Sequence, residues 1–149
     1  MAGLSEQDLA RYARHLTLPQ IGEAGQSKLM ESRVFCVGAG GLGSPALLYL
    51  AAAGVGHLSI IDDDTIERSN LQRQILHADD DVGISKVESA MLRLRELNPA
   101  ISVQIHSERL TSENAMELIR GHDIVLDGTD NIPTRYLVND VCELLGIPW

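Results

Sequence analysis

Apolar residues fall in two rhythms along this chain, and the rhythms take turns. Arg33-Val-Phe-Cys-Val37 is a short, nearly unbroken apolar run that stops at a glycine, the pattern of a parallel strand buried on both faces. Residues 42–53 then form an apolar stretch of helical length. Pro45 falls in its first turn, where a missing N–H is harmless, and Gly54 and Gly56 close it. His57-Leu-Ser-Ile-Ile-Asp62 repeats the strand pattern. Residues 85–97 are amphipathic at helical spacing and stop at Asn98-Pro99. A third strand is expected over 101–106, a helix over 111–120, a fourth strand over 123–127 and a helix over 134–145. Strands alternate with helices to the end, which predicts an α/β, Rossmann-like fold with a mostly parallel sheet and helices on both faces.

Ahead of the first strand the pattern differs. Ser5-Glu-Gln-Asp8 has the form of a capping box opening a helix to about Leu16. A polar link with Pro19, Gly22 and Gly25 separates it from a short helix over 26–32. The chain thus divides into an N-terminal helical segment, 1–32, and a nucleotide-binding domain, 33–149. Pro148-Trp149 follows a helix stop where a fifth strand is expected, so the domain reads as truncated after its fourth strand and the following helix.

Composition narrows the function classes. Aromatics are only 3% of the 149 residues, so aliphatic side chains must fill the core. A net charge of −9 argues against a broad nucleic-acid surface, which needs clustered Lys and Arg, though it permits a local basic pocket. No apolar run approaches the ~20 residues of a membrane span, and the N-terminus lacks an apolar signal segment. A cytoplasmic protein without membrane contact is expected. Cys36 and Cys142 form no CxxC pair and sit in apolar patterns, which suits buried reduced thiols.

The chemistry starts at Gly38-Ala39-Gly40-Gly41-Leu42-Gly43, a G-x-G-x-x-G string between a predicted strand and helix. The first glycine permits a tight turn, the second lets a phosphate approach the backbone, and the third lets helix and strand pack closely. The helix N-terminus adds free N–H groups and partial positive charge. Asp62 ends the next strand, where a ribose-binding acid belongs. Asn70, Arg73 and Lys86 follow; as a group they suit a triphosphate, while Arg73 and Lys86 taken singly fit solvated surface charges as well. Asp130 follows the fourth strand on the same sheet edge. It suits a Mg²⁺ ligand beside phosphates, or a helix cap.

Longer strings carry a family resemblance. Arg11-Tyr-Ala-Arg14-His15, Gly25-Gln26, the glycine turn, Ala53-Gly-Val-Gly56, Asp62 with Asp64, Ser69-Asn70-Leu71-Gln72-Arg73-Gln74, Gly83 with Lys86, Asn98-Pro99 and Asp127-Gly-Thr-Asp130-Asn131 together resemble the MoeB/ThiF/HesA family, bacterial relatives of the ubiquitin-activating enzymes. They run through nearly the whole chain. The resemblance implies an adenylyltransferase that binds ATP and Mg²⁺ and moves AMP onto the C-terminal glycine carboxylate of a small ubiquitin-like sulfur carrier ending in Gly-Gly, for molybdopterin or thiamin synthesis. It adds Asp64, Ser69, Leu71, Gln72 and Asn131 to the nucleotide-binding set, with Gly41 near the α-phosphate. Arg73, Lys86 and Asp130 become catalytic, with Asp130 on the metal. It also implies a homodimer in which Arg14 reaches the ATP of the other subunit. The family's two CxxC zinc pairs and sulfur-relay cysteine lie beyond residue 149. Two other readings stand beside it: the nucleotide-binding domain of an NAD-dependent oxidoreductase, and a non-catalytic partner subunit of an activating enzyme.

Overall fold

A computed structural model describes residues 3–149, so the first two residues of the 1–32 segment lie outside it. The four apolar runs become strands β1 (Arg33–Val37), β2 (His57–Ile61), β3 (Ser102–His106) and β4 (Ile124–Asp127). All pair in parallel in the order β3-β2-β1-β4, with Val34 opposite Leu58 on one side and Ile124 on the other. Every strand therefore delivers its carboxyl end to one edge of the sheet. The chain order reverses between β1 and β4, and a crevice opens at that switch point.

Both faces of β1 are covered, which is why its sequence does not alternate. Val34 and Cys36 pack toward helices α4 (Gly43–Ala53) and α5 (Lys86–Leu97), with Leu47, Ala51, Val87 and Leu94. Phe35 and Val37 face α6 (Ala115–Ile119) and α7 (Ile132–Leu145), with Ile119, Val138 and Val141. Burying a side chain such as Phe35 contributes roughly 1.5–3 kcal/mol. Both cysteines are free and buried, and burial pushes the Cys36 thiol up to about 12, far from any nucleophilic role. Among the described residues no helix is long and apolar enough to cross a membrane.

The N-terminal segment departs from its expected outline. The capping box is present, but the helix breaks at Tyr12 into α1 (Glu6–Arg11) and α2 (Ala13–Leu16). Tyr12 turns inward to 3% exposure, and its hydroxyl accepts a hydrogen bond from Asn98 Nδ2 at 2.9 Å. Tertiary packing overrides a continuous helix there. The next helix, α3 (Gly22–Glu31), starts four residues earlier than expected and ends one sooner. Gly25 lies inside it, where an added Cβ would meet Ile21 Cγ2 at 3.1 Å; the glycine serves close packing, not a link. Helix α6 is shorter than the expected 111–120, because Asn114 Oδ1 accepts from the Thr111 N–H and holds 111–114 as a turn. Between β2 and α5, the polar stretch folds into 3₁₀ turns at Arg68–Asn70 and Asp79–Asp81.

Candidate functional site

The glycine turn is built by contacts that leave no room for side chains. Gly38 has a φ of +93°, the left-handed region that glycine enters freely. A Cβ on Gly43 would stand 2.0 Å from the Gly38 carbonyl oxygen. The start of α4 therefore presses against the end of β1, and Gly43 serves packing. A Cβ on Gly40 would meet only Gln74 Nε2, at 3.6 Å. Gly40 borders open space. Helix α4 has no side-chain cap, and among the described residues the N–H groups of Gly40, Gly41 and Leu42 make no hydrogen bond. A row of unpaired N–H groups at a helix N-terminus is a seat for an anion.

The turn opens on a cleft of about 770 Å³ at the carboxyl edge of the sheet. It gathers Gly38, Gly40, Gly41, Asp62, Asp64, Asn70, Arg73, Lys86, Asp130 and Asn131 from sequence positions far apart. Gly43, Ser69, Leu71, Gln72 and Arg14 do not line it. Ser69 turns its hydroxyl to Glu67 Oε2 (3.2 Å) and gives its carbonyl to Arg73. Arg14 is exposed on α2.

Individual side chains have sharply different states. Asp62 is largely committed to the backbone: Oδ2 accepts from Ala39 N–H at 2.8 Å and Oδ1 from Asp64 N–H at 2.9 Å. It ties β2 to the glycine turn and keeps spare lone pairs toward the cleft. Lys86 is not a solvated charge. It is 6% exposed, and Nζ reaches Asp64 Oδ2 at 2.6 Å. Arg73, by contrast, is exposed and lies along Gly41, with Cγ 3.6 Å from where its Cβ would be. Asn131 Oδ1 caps α7 by accepting from Thr134 N–H at 2.9 Å. The cap is therefore Asn131 and not Asp130. Among the described residues Asp130 makes neither hydrogen bond nor ion pair, and its carboxylate is exposed on the cleft.

The cleft is not basic. Asp62, Asp63, Asp64, Glu67, Glu108 and Asp130 line it against Arg73, Lys86 and Arg109. A polyanion enters such a site only with a counter-cation. Asp62, Asp63 and Asp64 each bring an oxygen within 4.8 Å of the others, but Asp62 holds two N–H groups, Asp64 holds Lys86, and Asp63 stands 3.8 Å from Arg109. Asp130 is the carboxylate with its valences free. Oxygen-only donors of this kind fit Mg²⁺.

Several lining residues lie outside the predicted nucleotide-binding set. Gln74 is 4% exposed, and its Oε1 is buried without a partner beneath the glycine turn. Glu108, Arg109 and Leu110 follow β3, and the rule that ligands sit at strand carboxyl ends points to them. Thr129 is clamped: its N–H and hydroxyl donate to Asp127 Oδ1 (2.8 and 2.6 Å), and Arg135 Nη2 donates to its carbonyl (2.8 Å). That clamp fixes the loop carrying Asp130. The Asp127–Thr129 half is an Asx turn legible in local sequence; only the Arg135 half has no local pattern.

Comparison with known proteins adds independent ground. The ThiF family is matched over residues 12–149. The chain is 54% identical over 145 residues to the SAMP-activating enzyme E1 of Haloferax volcanii, covering 97% of this chain and 54% of that protein. It is 51% identical over 148 residues to the probable adenylyltransferase/sulfurtransferase MoeZ of Mycobacterium tuberculosis, covering 99% of this chain and 38% of the relative. The E. coli tRNA N6-threonylcarbamoyladenosine dehydratase TcdA, in its crystal complex with ATP, superposes with a TM-score of 0.91 at 29% identity, over 99% of this chain and 60% of that one. The chain thus spans only about half, or less, of the curated relatives it matches.

Proposed function

This chain belongs to the ThiF family, and from that premise we propose that its cleft binds ATP with Mg²⁺ and that it serves as the adenylating part of an enzyme activating a ubiquitin-like sulfur carrier. The observation that carries the reading is an anion seat and a cation seat in one cleft: the unpaired N–H groups of Gly40 to Leu42, and the unpartnered carboxylate of Asp130. The names of the relatives supply the reaction class, adenylyl transfer, and the partner class.

The chemistry follows from charge. A carboxylate oxygen of the carrier's last glycine attacks the α-phosphorus of ATP. The bond from that phosphorus to the bridging oxygen breaks, and pyrophosphate leaves with the electron pair. The attacking group is already ionised, so no general base is needed. What the site supplies is position and positive charge. The free N–H groups of the turn and the buried ammonium of Lys86 face charge developing at the phosphates, and Arg73 adds a second cation beside Gly41. Asp62 offers its remaining lone pairs to the ribose. Mg²⁺, held by Asp130, would neutralise phosphate charge that the acidic cleft otherwise repels. Arg14 is exposed on α2 and away from its own cleft, so it serves catalysis only by reaching a second copy of the chain, in a homodimer.

The deciding test is exchange of labelled pyrophosphate into ATP by this chain, alone and within any longer protein that contains it. Stimulation by a Gly-Gly-ended carrier, lost when the last glycine is removed, is the expected result. Exchange indifferent to the carrier would sink the partner assignment. Stimulation by a tRNA carrying N6-threonylcarbamoyladenosine instead would favour the chemistry named for TcdA.

A further inference from the structure

The glycine turn is held from behind by a histidine that belongs to none of the family strings. His77 is 7% exposed, and its Nε2 stands 3.0 Å from the Ala39 carbonyl oxygen. A carbonyl only accepts, so Nε2 carries the proton. Nδ1 lies 2.9 Å from Ser89 Oγ, which lies 2.7 Å from Asp81 Oδ2; the one hydroxyl proton goes to Nδ1 when the ring is neutral, and to Asp81 when the ring is charged and Nδ1–H donates to Ser89. Asp81 Oδ2 also accepts from Ala78 N–H at 2.9 Å, which pins the 3₁₀ turn below the ring. A relay Asp81–Ser89–His77 thus runs from α5 to the turn. On the other side Asp62 takes the Ala39 N–H. Both peptide groups flanking Ala39 are fixed by titratable side chains distant in sequence.

The consequence lies in one peptide. The carbonyl of Ala39 and the N–H of Gly40 belong to the same trans unit and point in opposite directions. Holding the carbonyl inward, against His77 Nε2 and the Ser44 hydroxyl (3.3 Å), aims the Gly40 N–H outward at the cleft. With that peptide turned over, an oxygen would face the phosphate where an N–H should. We propose that His77 is a positioning residue for the nucleotide: through the Ala39 carbonyl it sets the Gly40 N–H that receives a phosphate oxygen, with Ser89 and Asp81 orienting its ring. This rests on the reading of the cleft as a nucleotide site. Asp81, Lys86 and Asp62 are the charged groups acting on the ring, and burial holds the imidazole below the ordinary histidine range. The Nε2–H bond is present in the neutral and the charged ring alike.

Two substitutions separate positioning from mere packing. The amide nitrogen of Gln reaches about as far as Nε2 of His, and that of Asn about as far as Nδ1. His77→Gln keeps the donor at the Ala39 carbonyl and loses the Ser89 link; His77→Asn does the reverse. Each loses one of the two hydrogen bonds, so similar drops in melting temperature are expected. ATP·Mg²⁺ affinity, measured by calorimetry, should fall no more than about threefold in His77→Gln, the cost of losing the Ser89 link alone, and roughly tenfold in His77→Asn, the equivalent of one lost hydrogen bond. The backbone ¹⁵N–¹H resonance of Gly40, read in the chain without nucleotide, should move further in the Asn variant than in the Gln variant. Equal affinities, or an unmoved Gly40 resonance in His77→Asn, would overturn the proposal. If the wild-type chain binds no ATP, the nucleotide reading fails, while the Gly40 resonance still decides whether His77 sets the turn. If neither His77 variant folds, Ser89→Ala, which frees the ring without touching the turn, should shift Gly40 and weaken ATP binding several-fold. An unshifted Gly40 there counts against the relay.

Discussion

Two buried polar clusters sit at opposite ends of α4, and they are finished to different degrees. At its C-terminal end Asn98, fully buried, donates from Nδ2 to Tyr12 Oη and the Ala51 carbonyl, and its Oδ1 accepts from Ala100 N–H. Beside it His15 Nδ1 meets Gln26 Oε1 at 2.8 Å, and Gln26 Nε2 donates to Ala53 O. Nearly every polar atom there has a partner. At the N-terminal end of α4 the turn N–H groups, Gln74 Oε1 and the Asp130 carboxylate have none among the described residues. A saturated cluster locks the N-terminal segment to the sheet. An open one is complete only with a ligand. The same family strings feed both, so presence in a motif does not by itself distinguish a binding residue from a docking one.

The contrast is breakable by substitution. Lys86→Met should lower adenylation by roughly 100- to 1,000-fold, as loss of a transition-state charge donor does. Stability should shift by only about 1 kcal/mol, because the abandoned Asp64 is largely solvated. Pyrophosphate exchange and chemical denaturation read the two halves. Gly43→Ala should do the opposite. Its Cβ has no space beside Gly38, so about 3 kcal/mol of stability is lost. Asn98→Ala, at the saturated end, should cost about 1–3 kcal/mol by orphaning the Tyr12 hydroxyl and the Ala51 carbonyl, with ATP affinity unchanged. A loss of affinity there would erase the distinction between the two ends. Gly40→Ala is the mildest: the fold accommodates its methyl, and roughly a tenfold loss of ATP binding is expected as the methyl occupies the phosphate seat.

Acid should loosen the molecule before it reaches any carboxylate. Burial holds His77 and His122 below the ordinary histidine value of 6.5, so the unfolded chain binds their protons more tightly than the folded one. Stability from this source is complete above pH 6.5 and declines as pH falls through the lowered values. Asp81, held below 3.8 by the Ala78 N–H, adds a loss at still lower pH. Denaturation midpoints across pH 7 to 5 check the first step; a flat profile contradicts it.

What could be read from sequence was local. The strand–glycine–helix corner, Asp62 and Asp130 all lie at strand ends, so their arrival at one edge follows from the alternation alone. The four apolar runs gave the sheet and both covered faces. The break at Tyr12 could not be read, because its cause, Asn98, is 86 residues away. The acid excess of the cleft was hidden likewise: Glu67, Glu108 and Asp63 join it only when β2, β3 and their loops are laid side by side. His77 and Arg135 act through the backbone carbonyls of Ala39 and Thr129, which no residue pattern displays.

The open end of α4 is proposed as a seat for ATP with a counter-cation. Calorimetric titration of the chain with ATP, with and without Mg²⁺, and then with NAD, tests it most directly. Micromolar binding of ATP is expected, weakening sharply when Mg²⁺ is withheld or Asp130 is replaced by Asn, with no binding of NAD. Clear NAD binding without ATP binding would contradict it.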